Sequence, residues 1–440
     1  MSYTSRVQAM AQKMAYATVS SQINSLQEQQ NELDTQTKGL DTLNSALEAF
    51  QSAVDALNSD TDGPVVFSAT TNNDSASATA NSEAQAGTYS FYVKQLAQAQ
   101  QSTFDMSDDT YSATGTFELT MGDSVMDIDL AAADQNGDCF IDASELVSAI
   151  NNSDDNPGVS AALVKTDGTT TIMLTSNSTG AQSAFSVNVT GHDATNDTSS
   201  TVPTLNTMTA AQDAVINLGG PTGATITSSS NTFDDVIPGV SMTFTEASDS
   251  DTDLTTFTIA EDSSASQAKV QTFVDAYNTL VDTVDSLTTN GSDTSSPGVF
   301  AGDAGLKSLT SRLDDVVHAY YGGVSVVDYG ITLDSDGHLQ IDSDTFNEEM
   351  KKNPDGLTSI FVGDDSMVAQ MDDLMDSYLD SNTGIITSRQ QSLDDKQQKI
   401  DDRNDQLTET YNTNYERYLT EYTNTLVQVY SMKVSMSAFM

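Results

Sequence analysis

The sequence predicts an α+β fold: long N- and C-terminal helices pair as a coiled-coil leg and helical domain, with nested antiparallel β-rich domains inserted between them. Three observations predict it. Apolar residues recur at helical spacing from Val19 to Leu57, and again from Leu393 to Val429. Between these ends, short alternating segments are separated by runs of Ser, Thr, Asn, Asp and Gly, the pattern of antiparallel sheet.

The N-terminal seam runs through Val19, Ile23, Leu26, Leu33 and Leu40, with Gln30 and Thr37 at the two skipped positions. It is a heptad pattern, in which apolar residues line one face of a supercoiled helix. Leu43, Leu47, Phe50, Val54 and Leu57 continue it after a local break at Leu40. No proline precedes Pro64, so one helix is predicted over about 3–58. Leu393, Ile400 and Leu407 form the C-terminal counterpart at seven-residue spacing, followed by Tyr411, Tyr418, Tyr422, Leu426 and Val429. Neither stripe is stable bare in water, because helices draw most of their stability from packing an apolar face. Each therefore needs the other, or copies of either in further subunits; a lone helical hairpin is the simpler version.

Period-two alternation predicts strands at 89–93, 117–121, 171–174, 185–189, 240–244 and 256–259. A short helix is predicted at about 143–150, a longer one at about 266–287, and a mixed region at about 306–378. The order implies four nested parts. Residues 1–45 and 390–440 form the leg, and 46–70 with 263–389 a helical and mixed core domain. Residues 71–112 and 213–262 form a β-rich plate domain, and 113–212 an inserted β-rich outer domain.

Charge and cysteine content narrow the function. Sixteen Lys and Arg stand against 64 Asp and Glu, a formal net charge of −48. Such a surface repels phosphate backbones, which argues against nucleic-acid binding. Cys139 is the single cysteine, so neither an intramolecular disulfide nor a cysteine zinc cluster is expected. No apolar run is long enough to insert in a membrane, and the N-terminus lacks the apolar core of a cleaved signal.

One segment carries metal-ligand spacing. Asp134, Asn136, Asp138, Asp142 and Glu145 fall at positions 1, 3, 5, 9 and 12 of an EF-hand-like loop, with Ile141 at position 8. Position 6 is Cys139, where the turn favours Gly. The loop reads either as a calcium site or as an acidic turn whose Asp142 caps the helix carrying Leu146 and Ile150. Asp334-Ser335-Asp336-Gly337 reads as a hairpin turn with Gly337 at positive φ. Apart from calcium, no cofactor is indicated. His192, His318 and His338 are scattered and lie in no catalytic motif; there is no phosphate-binding glycine motif. No enzyme is expected.

Several patches together resemble the flagellar hook-associated protein 2, or filament cap, family. Gln95-Leu96-Ala97-Gln98-Ala99-Gln100, after the strand at 89–93, is similar to its QLA-x-AQ motif. Phe273-Val274-Asp275-Ala276-Tyr277-Asn278-Thr279-Leu280 resembles its FV-x-AYN-x-L helix. Ile237-Pro238-Gly239-Val240 and the run from Gly330 to Leu339 resemble two further family hairpins. The chain departs at its start, Met1-Ser2-Tyr3-Thr4, where the family usually shows a Gly-Ser-Gly-Leu-Asp-like segment.

The resemblance implies a protein exported unfolded through the flagellar secretion apparatus to the filament tip. There it implies a homo-oligomeric ring of about five subunits that helps exported flagellin fold and polymerise. The implied partners are further copies of itself, flagellin, hook-filament junction proteins and an export chaperone. Two other readings compete: another flagellar axial protein such as a junction protein, and an acidic calcium-binding surface adhesin.

Overall fold

A computed structural model describes residues 3–59, 61–106, 111–166, 169–190, 204–292 and 296–437; His192 lies outside them. In chain order the helices are α1 (Tyr3–Asp55), α2 (Leu130–Ala133), α3 (Ala143–Asn152), α4 (Ser263–Thr288), α5 (Ala304–Val317), α6 (Ser343–Lys352), α7 (Pro354–Phe361), α8 (Met367–Leu379) and α9 (Ile385–Ser437). The chain forms two compact units, residues 1–65 with 263–440 and residues 66–262. The α+β architecture with long terminal helices and antiparallel sheets is as the sequence predicts.

In the helical unit, α1 and α9 run antiparallel. Cross-helix bonds fix the direction: Thr18 meets Asn414, Gln30 meets Gln397 and Gln36 meets Lys396. The two helices pair from Ala11 to Leu40. Beyond Leu40 the apolar face of α1 broadens, because Leu43, Leu47, Phe50 and Val54 are all buried. There α1 meets α4 and α8. Phe50 packs on Phe273 at 5.8 Å and on Tyr277 at 6.1 Å between ring centroids, and Phe273 packs edge-on against Phe361 at 5.7 Å. The break in the heptad at Leu40 thus marks the passage from a two-helix pair to a multi-helix core.

The region at 306–378 resolves into short helices started by side-chain caps. Asp303, Asp342, Asn353 and Ser366 each accept from a backbone N–H in the first turn of α5, α6, α7 and α8, satisfying donors that have no helical partner. A two-stranded hairpin, Ile331–Leu333 with Leu339–Ile341, lies among them. Its turn places Gly337 at φ +83°, as the Asp-Ser-Asp-Gly sequence predicts.

The β unit contains two apolar clusters. In the first, a five-stranded sheet runs in the order 67–71, 255–261, 87–95, 214–218, 224–228, and a three-stranded sheet in the order 232–237, 240–244, 76–80. Phe91, Phe233, Phe244 and Phe257 fill this core in edge-to-face pairs 5.6–6.2 Å apart, the arrangement favoured by the aromatic quadrupole. The second cluster is built on sheets of four strands (206–209, 101–105, 169–176, 159–166) and three strands (185–190, 116–121, 124–129), with α2 and α3. Phe104 and Met106 belong to this second core.

Candidate assembly interface

The α1–α9 pair is the main candidate for a functional surface. Of the sequence-predicted seam, Val19, Leu33, Leu40, Leu393, Ile400 and Leu407 are buried, and Ile23 and Leu26 are half-buried. Each fully buried leucine contributes about 1.5–3 kcal/mol through apolar transfer. Gln30 does not leave the seam unsatisfied. Its amide nitrogen donates to Gln397 Oε1 at 2.8 Å, and Gln397 Nε2 donates back to Gln30 Oε1 at 3.1 Å. Thr37 donates to the carbonyl of Leu33 one turn back at 3.0 Å.

Towards the N-terminus of α1, the seam residues shrink to the buried Ala11 and Ala15. Tyrosines cover the corresponding stretch of α9: Tyr411 stacks on Tyr415, and Tyr418 on Tyr422, each at 6.3 Å. Arg417 lies over the ring of Tyr418 at 4.7 Å, a cation–π contact. Small residues on one helix and rings on the other keep the pair close. Extending the register set by Thr18 and Asn414 puts Tyr3 opposite about residue 429. The last two turns of α9 therefore have no partner on the described part of α1. Val427, Val429, Tyr430, Met432, Val434 and Met436 are all exposed, Tyr430 by 61% and Met436 by 70%. Met10, Met14 and Tyr16 of α1 are exposed as well.

The family-motif residues act as pins between strands and helices. Gln95 Nε2 donates to the Asp213 carbonyl at 2.8 Å. The Leu96 carbonyl accepts from Gln212 Nε2 at 2.9 Å, and the Ala97 N–H donates to Asn231 Oδ1 at 2.7 Å. Farther along, Gln100 bonds both the N–H and the carbonyl of Phe185. The segment is the crossing from one apolar cluster of the β unit to the other, and side-chain amides fix it where no ladder does. In the helical unit, Phe273, Val274 and Tyr277 are buried. Asn278 donates to the Leu339 carbonyl at 2.9 Å and accepts from the Leu339 N–H at 2.7 Å, so it extends the hairpin's edge onto α4. The partners in these pins are 61 or more residues apart in sequence, and no motif says which residue pairs with which.

The acidic loop turns as an EF-hand loop does, with Gly137 at φ +78° and Cys139 at φ +68°. Phe140–Ile141 pairs with Tyr111–Ser112 as a short ladder. Its carboxylates bond the loop's own backbone. Asp134 accepts from the N–H groups of Gly137 and Cys139, Asn136 from Asp138, and Asp138 from Phe140. Glu145, 6% exposed, accepts from Gln135, Asn136 and Asp142, completing a capping box with Asp142. Among the described residues, no three His, Cys, Asp or Glu side chains converge as a metal site. No helix there is long and apolar enough to cross a membrane.

The described residues thus form a helical unit built on a long antiparallel pair with an apolar tip, and a β unit inserted in the chain between the two ends of that helical unit. The comparisons make this specific. Residues 5–100 match the flagellar hook-associated protein 2 N-terminus family, and residues 211–432 the C-terminus family. The lateral flagellar hook-associated protein 2 of Vibrio parahaemolyticus is 38% identical over 329 residues, 72% of each chain. The flagellar hook-associated protein 2 of Escherichia coli K12 is 31% identical over 351 residues, 73% of this chain and 72% of that one. The crystal structure of the E. coli flagellar cap protein FliD, domains D1-D2-D3, is similar with a TM-score of 0.67 at 29% identity, covering 81% of this chain and 99% of that one. The chain belongs to the flagellar hook-associated protein 2 family, the structural cap of the flagellar filament tip and not an enzyme family.

Proposed function

We propose that this chain forms a closed homo-oligomeric ring of about five subunits at the filament tip, where it promotes the folding and polymerisation of exported flagellin. The observation that supports it best is the exposed apolar stretch from Val427 to Met436 at the end of α9. A lone subunit leaves these side chains, which cover both faces of the helix end, in water, and exposed apolar surface of this extent marks a place where protein is to be covered. The partners that follow are other copies of the chain, flagellin and hook-filament junction proteins, with an export chaperone shielding the tip beforehand. Export through the flagellar apparatus fits a chain whose terminal helices gain their order from partners. Deleting the gene tests the reading. Short or absent filaments, with flagellin shed into the medium, are expected in electron micrographs and culture supernatants. Normal filaments with no shed flagellin contradict it and reopen the adhesin and axial-protein readings.

For the acidic loop we propose the structural role. Glu145 already spends both carboxylate oxygens on backbone N–H groups, so the loop needs no ion to hold its turn. Millimolar calcium is expected to move Tm by less than about 1 °C, and a saturable rise of several degrees sinks this reading in favour of a calcium site.

A further inference from the structure

One flank of the α1–α9 pair forms a groove of about 640 Å³. Leu26, Leu33 and Ile400 of the seam floor it, and its α9 wall carries Lys396, Lys399 and Arg403. Glu32 is the one carboxylate that lines it. The whole chain has 16 Lys and Arg against 64 Asp and Glu, so the groove reverses the sign of the molecule. Its three cations are spaced three and four residues apart, which sets them in one exposed row. Like charges at those spacings repel and weaken the helix. The helix does little to offset this, because Lys396 and Arg403 have no carboxylate three or four residues away on either side. Among the described residues, none of the three cations forms an ion pair. Lys396 donates to Gln36 Oε1 and Arg403 to Gln406 Oε1, each at 3.0 Å, so neutral amides hold these charged heads in place.

The opposite flank of the same pair has the opposite sign. At about 100° per residue, Asp394, Asp401 and Asp405 fall on the far side of α9 from the cationic row. Gln397 donates to Asp401 at 2.9 Å, and across the seam Gln30 donates to Asp34 at 2.7 Å. None of these carboxylates lines the groove. Lys38 sits among them by helical spacing, so the flank is acidic on balance. An isologous contact through either flank sets like charge against like. A heterologous contact, groove of one copy on aspartate flank of the next, matches the two, and contacts of that kind close into rings.

We propose that the cationic groove receives the aspartate flank of a second copy's α1–α9 pair, with Lys396 and Arg403 of one copy set against Asp394 and Asp401 of the next. The contact rests on the ring reading and names a surface through which the ring closes. It is tested by sedimentation of the full chain over a series of concentrations. Lys396→Glu with Arg403→Glu reverses the groove, and Asp394→Lys with Asp401→Lys reverses the flank. Each paired variant is expected to self-associate at least about tenfold more weakly than the parent, with Tm kept, since all four side chains are exposed. The flank variant is four charges less acidic than the parent, so a response to net charge alone would strengthen its association instead. All four substitutions in one chain restore both the net charge and the match of faces, and are expected to recover most of the parent's association. Unaltered association in either paired variant, or no recovery in the fourfold variant, overturns the groove contact and leaves the ring reading standing. In the first case the groove passes to an acidic segment of another protein. A parent that stays monomeric at every concentration contradicts the ring, and the contact with it.

Discussion

Arg389 and Asp303 show how much one side-chain pair does in the helical unit. Asp303 caps α5 by accepting from the Leu306 N–H, and Arg389 of α9 donates to the same carboxylate at 2.7 Å while lying over the ring of Phe300. The pair joins α9 to the core with both charges about three-quarters buried. Arg389→Ala is expected to cost about 1.5–3 kcal/mol, the scale of a charge-assisted bond, read as a lower Tm. The Arg389 hydrogen bond, first among its causes, holds the Asp303 carboxyl below the usual carboxylate range. A depressed carboxylate contributes stability that is present above its ordinary value and lost as pH falls through the lowered one. Asp142, Asp342 and Asp380 are lowered too, led by bonds to Ser144, Thr345 and Thr383. Tm is therefore expected to drop as pH falls below about 4, less steeply in Arg389→Ala. Sequence could mark Asp142 as a cap, since its partners lie two and three residues on. It had no means of pairing Asp303 with Arg389, or Asn278 with Leu339, because tertiary packing brings them together.

At the scale of elements, legibility followed periodicity. The helix predicted over about 3–58 is observed as Tyr3–Asp55, and the heptads from Leu393 to Leu407 lie on α9. Long apolar repeats over-determine a helix, so local noise does not hide them. The short helices α5 to α8 blurred into a mixed region, because a helix of eight to fourteen residues is fixed more by its caps and neighbours than by its stripe. The strand at 76–80 was missed for a related reason. Ala-Ser-Ala-Thr-Ala carries little strand propensity and is held by pairing with 240–244. In the seam, the Gln30–Gln397 pair replaces apolar packing with two reciprocal amide bonds. Gln30→Leu alone is expected to cost about 1 kcal/mol, by leaving the Gln397 amide without its partner. Gln30→Leu with Gln397→Leu is expected to raise Tm above the parent and, by tightening the leg, to slow filament growth. A double variant no more stable than the single one contradicts this account of the seam.

Across the whole molecule, the nesting of β-rich segments between paired helical ends was readable from the order of elements alone. The boundaries were not. Phe104 and Met106 lie in the second apolar core of the β unit, and the crossing is pinned near the Gln98–Gln212 bridge by bonds that leave no periodic trace. The formal charge of −48 also bears on assembly. In the proposed ring like-charged subunits repel, so its contacts are expected to be short-ranged and largely apolar, the character of the exposed end of α9. The most direct measurement is therefore complementation of a deletion strain with a chain ending at Leu426, scored by filament length and by flagellin in the medium. The shortened chain is expected to keep the thermal transition of the parent, since residues 427–437 are exposed, and yet to leave filaments short and flagellin shed. Filaments of full length from that chain contradict the central claim that the bare end of the leg is the assembly surface.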